Sequence, residues 1–130
     1  TPGIAGLSEG IKYIYNISMD IVIKKYRTLM THFIENVNLI PNIEIQGSLD
    51  IEERIPNFSL KFKNLDSSEA AYLLESQHEM ISRSGYHCAP LAHKALGTEH
   101  SGTVRISFGH FTTLAEIDDL LIALRILSEV

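Results

Sequence analysis

Hydrophobic positions recur at helical spacing near the start of the chain. Leu7, Ile11 and Ile14 share one face, with Tyr15 beside them, which predicts a helix from about Ile4 to Tyr15. Three glycines interrupt this pattern, and they indicate either a close approach of other backbone or a weak helix: Gly3, Gly6 and Gly10.

A second and stronger helical pattern follows. Ser18 is a suitable N-cap because its hydroxyl can accept a hydrogen bond from an unpaired amide of the first turn. Pro41 ends the segment. The apolar stripe between them predicts core packing and consists of Met19, Val22, Tyr26, Leu29, Phe33 and Val37.

Alternating apolar and polar residues predict strands farther along the chain. Two are expected over 43–47 and 57–63, and "MISRSG" indicates a short third strand. "GTVRISFG", residues 102–109, is the clearest strand, since Val104, Ile106 and Phe108 fall on one face.

Two further helices are predicted from capping boxes. Asp66 and Glu69 have the right spacing to start a helix over about 67–77, and Thr113 and Glu116 to start the last one. Inward positions are expected at Ala70, Leu73, Leu74, Leu114, Ile117, Leu120, Leu121, Leu124 and Leu127. The order of elements predicts an α+β fold: a small two-layer sandwich, with a mostly antiparallel sheet covered by helices.

Length and charge narrow the classes of function. The 130 residues fit one domain. A net charge of −5 argues against nucleic acid as the main partner. The apolar runs are far shorter than the ~20 residues that a membrane span needs. The single cysteine excludes an internal disulfide framework and indicates a reducing compartment, so we expect a cytoplasmic protein.

That cysteine, Cys88, lies in the segment "SGYHCAPLAHK" and has two interpretations. It is either a small buried residue without chemistry or a nucleophile on an exposed loop shaped by Gly85 and Pro90. In the second case His87 and Arg83 would supply positive potential that favours the thiolate. A zinc site formed with His93 and His100 is disfavoured, because the spacing matches no compact metal motif.

Arg105 is the second candidate residue. The strand period of two places it on the face opposite Val104 and Ile106. A guanidinium fixed on a strand can bind a carboxylate through two parallel hydrogen bonds, although an ordinary surface arginine fits the same pattern. The sequence contains no Walker-type phosphate loop and no nucleophile elbow. If the chain takes part in catalysis, the cofactor and most of the machinery therefore lie elsewhere.

These features resemble a known family. The run from "SRSGYHCAP" through the strand with central Arg105 to the helix opened by Thr113 resembles the C-terminal end of cysteine desulfurases. Those enzymes belong to the class V aminotransferase group of fold-type-I enzymes that use pyridoxal phosphate. The opening "TPGIAGLSEGIKYI" resembles the segment that enters the small domain of such enzymes.

The resemblance implies a role for five residues. Cys88 matches the cysteine that takes sulfur from the substrate as a persulfide, and Arg105 matches the arginine that holds the substrate carboxylate. Arg83 and His87 match residues beside the substrate. Thr1 matches a threonine that reaches the cofactor phosphate of the neighbouring subunit.

The resemblance also implies a cofactor, partners and a domain organisation. Residues 1–130 would be a single C-terminal small domain, helical over 1–40 and with sheet and helices over 41–130, cut from a longer chain. The cofactor would be pyridoxal 5'-phosphate, bound to a lysine of the absent large domain. The substrate would be L-cysteine or a related amino acid. A homodimer and a protein that accepts the sulfur are expected, and the isolated piece is expected to be inactive.

Other functions fit the same residues. Within the group, a cysteine or selenocysteine lyase and a true aminotransferase remain alternatives. Tyr86 stands where many relatives carry another histidine, which leaves the local proton chemistry open. A binding or regulatory module without a cofactor is the alternative from a different class.

Overall fold

The computed structural model describes residues 1–130 and contains five helices and four strands. Their bounds in chain order are α1 (Pro2–Ile17), α2 (Met19–Val37), β1 (Ile43–Gln46), β2 (Asn57–Phe62), α3 (Ser67–His78), β3 (Arg83–Gly85), α4 (Pro90–Leu96), β4 (Thr103–Ser107) and α5 (Leu114–Leu127). Every element except α4 was predicted from the sequence.

The strands form one antiparallel sheet in the order β1-β2-β4-β3. One face is apolar because alternate residues of each strand point to it. At its centre the rings of Phe58, Phe33 and Phe108 lie 4.7–5.4 Å apart between centroids. Their burial against α2, α3 and α5 forms the core of the predicted two-layer α+β sandwich.

The caps behave largely as the sequence predicts. Ser18 accepts a hydrogen bond from the Asp20 amide at 3.3 Å. Thr113 and Glu116 form a complete capping box at the start of α5. The box predicted for α3 is half formed: Asp66 accepts from the Ser68 amide at 2.7 Å, but Glu69 makes no return bond.

Two predicted core positions lie outside the core. Met19 is 53% exposed and Leu114 is 44% exposed, and each is the first residue of its helix, ahead of the part that packs in the core. Tyr26 and Leu73 are half-buried. The other inward positions predicted for α2, α3 and α5 are buried as expected.

The glycines of α1 do not approach other backbone within this chain. A Cβ placed on Gly3, Gly6 or Gly10 would meet no atom within 4 Å. None of the sixteen residues of α1 is buried, and its apolar residues face outward. The interpretation as close-approach sites is therefore wrong for the contacts that this chain makes.

No helix is both long and apolar enough to cross a membrane.

Gly102 has no side chain, and this allows the end of β3 to approach the start of β4 closely. Its φ is +62°, and a Cβ there would lie 2.7 Å from the Ser67 hydroxyl oxygen and 2.9 Å from the Gly85 Cα. We expect Gly102→Ala to lower the free energy of unfolding by about 2 kcal/mol or more, from left-handed backbone strain and the clash together.

The matched control is Gly47→Ala. Gly47 also has a positive φ, +87°, but a Cβ there would meet nothing within 4 Å. The free energy of unfolding of Gly47→Ala should therefore fall only by the contribution of backbone strain, about 1 kcal/mol. Urea denaturation of both variants measures the difference, and equal losses would show that the close approach at Gly102 is unimportant.

Candidate active site

A row of polar side chains crosses the face of the sheet opposite the core. Gln46 of β1 lies opposite Ser59 of β2, Ser59 lies opposite Arg105 of β4, and Arg105 lies opposite Arg83 of β3. Directly opposed residues of neighbouring strands project from the same face. The register therefore places both arginines side by side, next to a small serine.

The two arginines have no acidic partner. Neither Arg83 nor Arg105 forms an ion pair or a side-chain hydrogen bond with another residue, whereas Arg27 pairs with Glu52. Like charges directly opposite each other destabilise an antiparallel pair. The arrangement is a concentration of positive charge that an anion, such as a carboxylate, would neutralise.

Cys88 lies on a tight turn just beyond β3. The Ala89 amide donates to the Tyr86 carbonyl at 2.8 Å and closes a four-residue turn. Its two central residues, His87 and Cys88, have φ values of +49° and +61°. The thiol is free and exposed, so Cys88 is not the buried residue without chemistry that the sequence left as an alternative.

His87 turns its ring inward from the same turn. Its Nε2 lies 3.3 Å from the Thr103 carbonyl oxygen. Because a carbonyl only accepts, Nε2 carries the hydrogen, and Nδ1 is a buried lone pair without a partner.

The pKa of His87 is lowered below its usual value. Desolvation by burial is the main cause, the hydrogen bond to Thr103 opposes it, and the charges of Arg105 and Arg83 lower it further. A lowered pKa keeps the imidazole neutral at pH 7. The expectation that His87 adds positive potential for a thiolate is therefore wrong, and the positive charge near the turn comes from the arginines.

A second set of contacts ties the Cys88 turn to the chain before β4. The Tyr86 hydroxyl donates to the Glu99 carbonyl, and the Tyr86 ring packs edge-on against His93, with centroids 5.2 Å apart. His93 is 6% exposed, and its Nδ1 lies 2.7 Å from the hydroxyl oxygen of fully buried Thr98. None of these contacts was predicted, because they join residues from different elements.

Part of the segment read as a loop is a helix. Residues 90–96 form α4, with Pro90 in its first turn and Gly97 as a left-handed C-cap. A proline that opens a helix and a glycine that ends one are recognised signals, and they would have predicted α4. Because only Ala89 separates Cys88 from α4, this cysteine lies between a strand and a helix.

The predicted site residues thus fall into two groups. Arg83 lies opposite Arg105, and His87 is near enough for both charges to lower its pKa, while Cys88 follows His87 in the same turn. Thr1 lies at the N-cap of α1, where its hydroxyl makes no capping bond. His93 and His100 form no metal cluster with Cys88, since no three potential ligands lie together.

The side chains of this chain do not fit the reactive ring of pyridoxal phosphate. A Schiff-base lysine is desolvated in a pocket, but none of the six lysines is buried. Lys61 donates to the Gly97 carbonyl at 3.3 Å, and Lys63 pairs with Glu44 at 3.0 Å, both on the surface. What the two unpaired arginines fit is an anionic group such as a carboxylate.

Comparison with known families decides the assignment. The family model described as aminotransferase class-V matches residues 1–120. The chain belongs to the class V aminotransferase family. Enzymes of this family and cysteine desulfurases depend on pyridoxal phosphate.

Similar proteins point to one branch of the family. The chain is 32% identical over 119 residues to a probable cysteine desulfurase of Pyrococcus abyssi, covering 92% of this chain and 29% of the relative. A probable cysteine desulfurase of Borreliella burgdorferi is 28% identical over 123 residues, with 95% and 29% covered. The chain therefore spans about 30% of the length of these relatives.

A solved structure shares the fold closely. The apo structure of a cysteine desulfurase from Thermococcus onnurineus NA1 superimposes with a TM-score of 0.87 at 27% identity. The match covers 95% of this chain and 30% of that one. The predicted α+β class and the resemblance to cysteine desulfurases are both confirmed.

Proposed function

We propose that this chain is the C-terminal small domain of an enzyme that takes sulfur from L-cysteine and leaves alanine. The observation that supports it is the exposed Cys88 thiol on a strained turn just after β3, the strand that sets Arg83 opposite Arg105. Simple transamination or β-elimination has no use for a thiol at this position. A binding module would not need a thiol and a carboxylate clamp together.

Arg105 is proposed to bind the substrate carboxylate. Its backbone is fixed on a central strand of the sheet, and its neighbour on β2 is the small side chain of Ser59. A planar fork of donors on a rigid strand fixes both position and orientation of a carboxylate. Arg83, directly opposite Arg105 on β3, adds a second positive charge.

Cys88 is proposed to accept the sulfur. Its thiolate attacks the sulfur atom of the substrate, a sulfur–sulfur bond forms, and the bond between that sulfur and the substrate Cβ breaks. The electron pair of the broken bond and a proton end on Cβ, which becomes the methyl group of alanine. Cysteine and one thiol are consumed, and alanine and one persulfide are formed.

His87 is proposed to contact the substrate as a neutral group. Its Nδ1 is buried, so the ring would lie beside the substrate without accepting a hydrogen bond from it through that atom. A protonated ring would add a third positive charge to Arg83 and Arg105. The lowered pKa avoids that repulsion at neutral pH.

The rest of the reaction requires more chain than these residues. Pyridoxal phosphate, when bound, supplies the electron sink for bond cleavage at Cβ. We propose that its lysine belongs to a larger domain, that the enzyme is a homodimer, and that Thr1 reaches the cofactor phosphate of the neighbouring subunit. A protein acceptor for the persulfide and a cytoplasmic location complete the proposal.

The test is to trap the persulfide on the complete enzyme. After incubation with L-cysteine and alkylation, mass spectrometry should find the Cys88 peptide heavier by one sulfur atom. Reduction should remove that sulfur and release sulfide. Alanine formed in equal amount supports the proposal, whereas pyruvate or a keto acid, with no added sulfur on Cys88, would indicate a lyase or an aminotransferase.

A further inference from the structure

The Cys88 turn is held in an unfavourable backbone conformation. His87 and Cys88 both have φ between +49° and +61°, which costs L-residues other than glycine or asparagine about 1–2 kcal/mol each. Turns of this kind favour sequences such as Asn-Gly at the two central positions. Contacts outside the turn must therefore stabilise it.

Two contacts fix the turn to one neighbouring segment. The ring of His87 reaches the Thr103 carbonyl, and the hydroxyl of Tyr86 reaches the Glu99 carbonyl. Glu99 lies just before β4, and Thr103 is the first residue of β4, the strand that carries Arg105. The turn is thus attached to the same strand that carries the proposed carboxylate clamp.

Of these two contacts, the one that Tyr86 makes is the better anchored. Its ring packs against His93, which is itself fixed by the bond to Thr98, and the Thr98 carbonyl accepts from the Gly102 amide at 2.9 Å. A continuous chain of contacts therefore runs from the exposed Tyr86 through buried His93 and Thr98 to Gly102, just before β4. A ring held on one side and bonded at its tip has little freedom to move.

We propose that Tyr86 is a positioning residue, which holds Cys88 in the left-handed turn at a fixed place relative to Arg105. This inference rests on the proposed function, because it matters for sulfur transfer only if Arg105 binds the carboxylate and Cys88 is the nucleophile. Tyr86 itself touches neither substrate nor sulfur. Its effect passes through the backbone of the turn that it begins.

The experiment is Tyr86→Phe in the complete enzyme, which removes the hydroxyl bond and keeps the ring on His93. Amide hydrogen exchange of Ala89 reports closure of the turn, and the exchange rate is expected to rise at least fivefold. The Gly102 amide, bonded to Thr98, should keep its rate. For sulfide release, kcat should fall about five- to tenfold with KM for L-cysteine nearly unchanged, because the carboxylate clamp is intact.

Tyr72→Phe is the matched control, since the Tyr72 hydroxyl on α3 is exposed and makes no hydrogen bond. Tyr72→Phe should change neither the amide hydrogen exchange of Ala89 nor kcat for sulfide release. An unchanged Ala89 exchange rate in Tyr86→Phe overturns the inference, as does a rise in KM equal to the fall in kcat. The proposed function fails separately, if no sulfur is found on Cys88 of the unsubstituted enzyme.

Discussion

Replacing Cys88 by serine is expected to reduce sulfide formation from L-cysteine by about a hundredfold or more, since removal of a nucleophile removes the covalent step. Serine keeps nearly the same size and a polar atom at an exposed position, so the fold should be unaffected. A hydroxyl is far less nucleophilic than a thiolate near pH 7. Sulfide and alanine release, measured together with a reductant present, gives the result.

The control for this variant is substrate binding. Arg105 and Arg83 are unchanged in Cys88→Ser, so the absorbance change of the bound cofactor on addition of L-cysteine should persist at the same concentration. Loss of both products with retained binding would identify Cys88 as the sulfur acceptor. Undiminished alanine and sulfide would mean that the thiol is incidental and that the site acts without a persulfide.

The regular elements of this fold are predictable because each satisfies a local rule. The stripe that contains Leu29 and Phe33 has helical spacing, and Phe58, Leu60 and Phe62 alternate along β2, so the buried face is evident from the sequence. The exceptions are first-turn residues such as Met19, where the helix face has not yet reached the core. Periodicity identifies a face but not the point at which other elements begin to cover it.

The site is only partly predictable for a physical reason. The strand period places Arg105 on the polar face, but only the pairing of β3 with β4 shows that Arg83 lies opposite it. The neutral state of His87 follows from burial and from those two charges, which no local pattern contains. The contact of Tyr86 with Glu99 likewise joins residues that the fold, and not the sequence spacing, brings together.

Arg105→Gln is expected to raise KM for L-cysteine by about 10- to 100-fold, the equivalent of the 1.5–3 kcal/mol that hydrogen bonds to a charged group contribute. Glutamine keeps a planar polar end but has neither the charge nor the paired donors of the fork. The matched control is Arg125→Gln in the last turn of α5, where the arginine is exposed and pairs with no acid. That variant should leave KM unchanged.

Two further properties separate loss of the clamp from loss of the fold in Arg105→Gln. Because Arg105 faces Arg83 without an acidic partner, removal of its charge should leave the free energy of unfolding equal or slightly higher. Because the charge of Arg105 lowers the pKa of His87, an NMR titration should find that pKa higher in the variant. A raised KM together with a higher His87 pKa and undiminished stability would show that the paired arginines serve binding at a cost to the sheet. An unchanged KM would mean that the carboxylate is bound elsewhere in the enzyme.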